Sequence, residues 1–436
     1  MNLYYYKNAE PGLVKILTRS FKVDPKIHRQ VQKIVEDVRL HGDKAILRYT
    51  KKFDGLNFKQ DDLLVKEGYC QSCLDKVDRN LLQLLKEAAE NIKRFHSEQI
   101  ATTWLKTFND GVKLGQRVLP LDTVGIYIPG GKAFYPSTLL MNVIPAKLAK
   151  VRDLVVVTPP GTFYQNPLLG ALLAMLDLKK VFLCGGAQAI AALAFGTETI
   201  PRVDKIVGPG NIYVSLAKRE VFGYVDIDMI AGPSEVLVLA DAHAEPEWVA
   251  LDLLSQAEHR TGFEAVILVT DSQAFAEKVG EYMYEHLRYS PHKELIEETL
   301  EQYGAFIIVD DLEQAVDVVN RIAPEHLEII IREPEKILEK IRHAGAIFVG
   351  KYSSEPVGDY WAGPNHVLPT GGTARFFSPL GVYDFYKRSS LVVYSREAIL
   401  RNALKIDALA RAEDLVFHGK AVLKRYEEIK NRLAGK

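Results

Sequence analysis

From Thr123 onward the chain alternates short apolar runs with amphipathic stretches, and no other feature restricts its fold as strongly. VGIYIP precedes a helical pattern at 137–150, DLVVVTPP one at 167–176, KVFLCGG one at 187–195, and KIVGPG one at 211–218. A second series follows: SEVLVLAD, helix 246–257, AVILVT, helix 272–286, AFIIV, helix 312–322, then LEIII and AGAIFVG. Continuous apolar runs of strand length, alternating with helices, are the signature of βα units and a mostly parallel sheet. Two such series predict two tandem, incomplete Rossmann-like α/β domains with a seam near Ala231–Pro233. A length of 436 residues agrees, because one hydrophobic core seldom serves so long a chain.

Outside these series the pattern is helical. Residues 25–50 and 81–100 carry apolar side chains at helical spacing, with a strand or loop excursion at 53–65. A charged helical stretch spans 396–433. Fifty-five basic against 56 acidic residues give a net charge of −1. That balance offers no basic face for nucleic acid or an anionic membrane. No apolar run approaches the roughly 18–20 residues of a membrane span. MNLYYYKNAE lacks the basic-then-apolar pattern of a signal peptide. Three cysteines fit a reducing, cytoplasmic setting.

Candidate chemistry sits at breaks in the rhythm. The segment 356–375, PVGDYWAGPNHVLPTGGTAR, holds four glycines and three prolines. It is expected as a stiffened loop that carries Asp359. Gln256 and His259 are three apart and share a helical face. Glu325 and His326 precede a strand, and neutral imidazole is suited to taking a proton from an alcohol. His259, Asp359 and His418 could hold zinc or a similar divalent ion; the plainer reading makes each a surface or core residue. Spacing pairs Asp414, not Glu413, with His418. Loop bracing is the favoured role for His366. Cys70 and Cys73 have no second pair to complete a zinc site, and Cys184 is expected to pack. Glycine turns at Pro129–Gly131, Gly185–Gly186 and Gly208–Asn211 open helices, as phosphate sites do. Tyr213 occupies the third glycine position of G-x-G-x-x-G, so a simple βα turn explains these equally well.

Nine strings in order, VGIYIPGG, YPSTLLMNVIPAKLA, GGAQAIAALAFGT, VGPGN, AGPSEVLVLAD, SQAEH, PEHLEI, GPNHVLPTGGTAR and ALARAEDLVFH, resemble the histidinol dehydrogenase family almost end to end. The resemblance implies NAD-dependent four-electron oxidation of L-histidinol to L-histidine through the aldehyde. It implies one zinc per subunit held by Gln256, His259, Asp359 and His418, the last from the other subunit of a homodimer. Substrate contacts carry over to Ser234, Gln256, His259, His326, Asp359, Glu413 and His418, and NAD contacts to Tyr127, Gln188 and Asn211. Glu325 and His326 match the acid/base pair. The family's Glu413 overrides the Asp414 pairing. Arg260-Thr261 departs from an Asp-Pro pair frequent in the family. The expected division is a helical extension at 1–24, a first α/β domain from 25–122 with 235–378, an NAD-binding domain at 123–234, and a dimer-forming helical region at 379–436. Competing readings are a relative that oxidises another alcohol such as a sulfonated diol, a zinc hydrolase, and a non-catalytic nucleotide binder.

Overall fold

A computed structural model describes residues 1–19, 24–130, 136–230, 232–259 and 261–434. Gly131, Tyr135 and Ala231 of the strings above, and Arg260, therefore lie outside the described residues. The chain forms two compact units, Met1–Gln99 with Leu121–Phe385, and Ile100–Pro120 with Tyr386–Lys436.

The first unit holds two parallel sheets. The five-stranded sheet runs Lys180–Leu183, Asp153–Thr158, Thr123–Tyr127, Lys205–Val207, Asp226–Ile227. The six-stranded sheet runs Asn2–Tyr5, Gly304–Ile308, Ala265–Thr270, Glu235–Ala240, His326–Ile330, Ala346–Val349. The α/β expectation is met. Central strands such as EVLVLA and AVILVT are buried on both faces, which is why they read as continuous apolar runs. Val236, Val238 and Ile330 face the helix Pro246–Ala257 through Val249, Leu253 and Ala257. Leu237, Leu239, Leu327 and Ile329 face the other way, toward Val316 and Val319 of Leu312–Ile322 and Leu13 and Ile16 of Glu10–Thr18.

Two assignments differ from expectation. Residues 1–24 are not wholly helical, because Asn2–Tyr5 pairs with Gly304–Ile308 as an edge strand. The helix Pro25–Asp54 seats Val31, Ile34, Val38 and Ile46 in one core with Val155, Val157, Ile190 and Leu216. It therefore covers the 123–234 sheet rather than the sheet of 235–378. Helical spacing predicts an apolar face but not which sheet receives it. The excursion after this helix joins the same sheet: Val65 N–H donates to Val181 O at 2.9 Å and Leu183 N–H to Leu63 O at 2.7 Å.

The second unit is a three-stranded antiparallel sheet, Tyr386–Val393, Lys113–Pro120, Trp104–Thr107, with the helices Arg396–Ala412 and Val416–Ala434. The expected continuous C-terminal helix is broken. Glu413 caps the first helix, Asp414 adopts φ +58°, and Leu415 N–H returns to Ala410 O at 2.8 Å. That left-handed ending satisfies orphan carbonyls. It also removes the i,i+4 pairing of Asp414 with His418, since the two do not share a helix.

Candidate active site

A cavity of about 200 Å³ opens in the first unit. Its lining combines Gly208, Pro209 and Gly210 with Ser234, His259, Glu325, His326 and Asp359. The glycines follow the strand Lys205–Val207, so the five-stranded sheet offers its carboxyl edge. Ser234 and Glu325 precede strands and His326 begins one, so the six-stranded sheet offers its amino edge. In a βαβ unit the helix returns the chain to the edge where it started. The helix Pro246–Ala257 therefore delivers Gln256 and His259 to that amino edge.

Glu325 and His326 are 5% and 4% exposed, too deeply buried for a surface pair. Glu325 Oε2 accepts the Glu235 backbone N–H at 2.9 Å. His326 Nδ1 donates to the Glu235 carbonyl at 3.2 Å. A carbonyl can only accept, so Nδ1 carries the proton of the neutral ring and Nε2 is left as the basic nitrogen. Nε2 lies 3.8 Å from Asp359 Oδ1 and 3.9 Å from Glu355 Oε1. Burial pushes the Glu325 carboxyl up to about 8 despite His326. Burial also works against the charged His326 ring, but Glu325, Asp359 and Glu355 outweigh it and raise the imidazole to about 10.

Asp359 does not stand on an irregular loop. It lies in the second of two short helical turns, Glu355–Val357 and Gly358–Ala362, and that second turn is wound as a π-helix. Pro356 is tolerated in a first turn, and Gly363 at φ +112° ends the stretch. A side chain at Gly358 would meet the Phe348 ring at 2.5 Å, so glycine lets this turn lie against the edge strand. His326 Nε2, Glu355 and Asp359 place ligand atoms within 4.8 Å of one another. Burial opposes ionisation of Asp359, yet His326, His366 and His259 hold its carboxyl below the usual range. Gln256 is fully buried with neither amide atom hydrogen-bonded. An orphaned buried amide is costly unless something else satisfies it, so Gln256, Asp359 and the half-buried His259 fit a divalent cation. Behind them, Glu328 accepts the Glu355 N–H at 2.6 Å, and burial drives the Glu328 carboxyl well up.

The Gly208–Gly210 turn brings backbone to the cavity beside the side chains of Ser215, Lys218 and Asp228. Gly208 adopts φ +113°, and a Cβ there would meet the Tyr127 carbonyl at 2.2 Å, so only glycine fits. Asp228 accepts its N–H at 2.8 Å, and Lys218, ion-paired with Asp228, donates to its carbonyl at 2.8 Å. Asn211 caps Ile212–Val221 by accepting from Tyr213 and Val214 N–H at 3.0 and 3.2 Å. The Tyr127 hydroxyl accepts the Gly186 N–H at 3.1 Å. Tyr127 and Gln188 are buried, whereas Asn211 is exposed. The N–H groups of Gly186, Gly208, Tyr213 and Val214 are thus paired within the protein, and Gly208 and Gly210 place no side chain against the cavity.

Glu355 escaped the sequence reading. SSEPVG looks like an ordinary turn, and only its fold-back against His326 marks it. His366 lines the cavity, with Nδ1 3.9 Å from Asp359 Oδ2 and Nε2 3.2 Å from the Thr138 hydroxyl. Cys184 is buried, as expected, and burial raises its thiol far out of the reactive range. Glu413 and His418 lie in the second unit, both exposed.

Residues 17–426 match the family model described as histidinol dehydrogenase. The chain is 53% identical to the histidinol dehydrogenase of Halalkalibacterium halodurans over 91% of its own length and 93% of that protein. It is 51% identical to that of Bacillus subtilis, over 92% and 93%. The crystal structure of histidinol dehydrogenase from Elizabethkingia anophelis aligns with a TM-score of 0.92 at 36% identity, covering 99% of both chains. With this fold, this cavity and matches of this extent, the chain belongs to the histidinol dehydrogenase family.

Proposed function

We propose that the protein oxidises L-histidinol to L-histidine through the bound aldehyde, using two NAD and one zinc per subunit, as the last two steps of histidine biosynthesis. One observation carries the reading. Nε2 of a buried His326 faces Asp359 at 3.8 Å, and the buried amide of Gln256, in the helix that leads to the cavity-lining His259, has no hydrogen-bond partner. His326, once Nε2 has given up the proton that the surrounding carboxylates favour, takes the alcohol proton while hydride leaves the carbinol carbon. The aldehyde stays enclosed, protected from side reactions. Glu325 and His326 then take a proton from the water that adds to it, and the hydrate is oxidised in turn. Ser234, Gln256, His259, Asp359, Glu413 and His418 hold the substrate.

Gln256, His259 and Asp359, with His418 of the partner subunit, would hold zinc, which when bound supplies a positive charge that anchors and orients the substrate. Tyr127, Gln188 and Asn211 would hold NAD, which supplies the hydride acceptor. In this reading 123–234 is the nucleotide-binding part and 379–436 builds the homodimer. A cytoplasmic location fits three free cysteines and the lack, among the described residues, of any helix long and apolar enough to cross a membrane. The test is NADH formation from L-histidinol before chelation, after it, and after zinc is restored. Loss and recovery support the reading; activity indifferent to chelation removes the metal from it.

A further inference from the structure

We infer that Arg19 and Glu235 form a buried positioning pair that fixes Glu325 and His326 from behind, so that the N-terminal segment governs turnover. This rests on the catalytic roles proposed above for Glu325 and His326.

Glu235 is a hub. Its N–H donates to Glu325 Oε2 at 2.9 Å, and its carbonyl accepts from His326 Nδ1 at 3.2 Å. One peptide residue thus sets both side chains of the acid/base pair. Its own carboxylate makes no hydrogen bond to them and acts on Glu325 only through its charge. Oε1 accepts the Gly371 N–H at 2.8 Å, one residue beyond the cavity-lining Thr370. Oε2 accepts from Arg19 Nη2 at 2.5 Å. Arg19 is anchored in turn: Nη1 donates to Ile16 O at 2.7 Å and Nε to Phe263 O at 3.1 Å. Both side chains of the ion pair are 1% exposed.

The strand does not need this carboxylate. Glu235 begins EVLVLA and points to the face where Leu237 and Leu239 pack, and an apolar residue would serve packing there. Desolvating an ion pair commonly offsets its attraction, and apolar replacements are often as stable. The pair therefore gains its use from what it holds. It clamps the first residue of the strand between the N-terminal helix and the 370–372 turn, which leaves the Glu235 peptide little freedom. A displacement of about 1 Å at the reacting groups can cost roughly a hundredfold in rate.

The test is a double-mutant cycle on the full-length enzyme, assayed with L-histidinol and NAD. Glu235→Gln keeps the shape, the backbone and the acceptor for Gly371, but loses the charge. It should lower kcat about tenfold or more while both KM values stay within about twofold. Arg19→Met should do the same, and Arg19→Lys should recover part of the loss. In a background carrying both Glu325→Gln and His326→Asn, Glu235→Gln should change the residual kcat less than about twofold, since coupled residues are not additive. Equal losses in both backgrounds, or a lowered Tm with kcat per folded molecule unchanged, would reduce the pair to a structural brace and overturn the inference. Absence of NADH from the unmodified enzyme would instead remove the proposed function, and this inference with it.

Discussion

The two sheets of the first unit meet the cavity with opposite edges. The five-stranded sheet presents its carboxyl edge, where a glycine turn and a helix start bring backbone to the cavity, their N–H groups paired with Asp228 and Asn211. The six-stranded sheet presents its amino edge, where Ser234, Glu325 and His326 stand at or just before the strands. The first edge is the usual ligand edge of an open α/β sheet. The second is unusual, and it yields a different kind of surface. A carboxyl edge ends in loops and suits a flexible, extended ligand. An amino edge seats side chains at the roots of buried strands, where two ladders hold the backbone: His326 lies between Val236 and Ala346. In the proposed function, rigid proton chemistry and nucleotide reception are divided between these two walls.

The sharpest way to break this division is on the amino-edge wall. His326→Asn should lower kcat by roughly 10²–10⁴-fold, the usual worth of a general base. Zinc content, read by elemental analysis, should stay near that of the unmodified protein. Parallel loss of metal and rate would merge the two roles.

Gln256→Leu comes next. It should weaken zinc binding by at least about tenfold, judged against the effect of losing a metal-supporting group. The metal-free protein should gain stability, because the change removes a buried amide with no partner, a burden of about 1–3 kcal/mol. Calorimetry of the apo form that shows destabilisation would contradict the geometry of the site.

On the nucleotide wall, Asn211→Ala removes a helix cap worth about 1 kcal/mol. The KM for NAD should rise severalfold, with the KM for histidinol unchanged. A rise in the histidinol KM instead would place Asn211 on the wrong wall.

The smallest effect is on pH dependence. Glu325 is raised to about 8 from 4.5, and His326 to about 10 from 6.5. Both bind a proton more tightly folded than unfolded. Their stabilising contribution is complete below the unfolded values and is lost as pH rises through about 8 and then about 10. The Tm of metal-free protein should fall between pH 6 and pH 10, and less so with both residues replaced by Gln and Asn. A Tm that climbs over that range would reverse the sign.

The two walls were unequally legible in the sequence. The glycine-turn side could be read locally, because a glycine turn between an apolar run and a helical pattern is a contiguous string. The catalytic side could be read only in pieces. Glu325 and His326 are adjacent, but their neighbours are distant: Arg19 reaches Glu235 across 216 residues. Glu355 became visible only through the fold-back of 355–362 onto the edge strand. Gln256 is an ordinary helical glutamine until burial strips its partners. Helical spacing misled at 413–418, because a left-handed Asp414 breaks the helix there. The seat of the helix Pro25–Asp54 was hidden for a related reason, since periodicity marks a face without naming its partner.

The central claim is that these two walls enclose one reaction centre in which both oxidations occur without release of the aldehyde. The most direct measurement is NADH formed per L-histidinol consumed, with a carbonyl trap present throughout. The account predicts two NADH per histidinol and no trapped aldehyde. One NADH per histidinol, with aldehyde recovered on the trap, would contradict it.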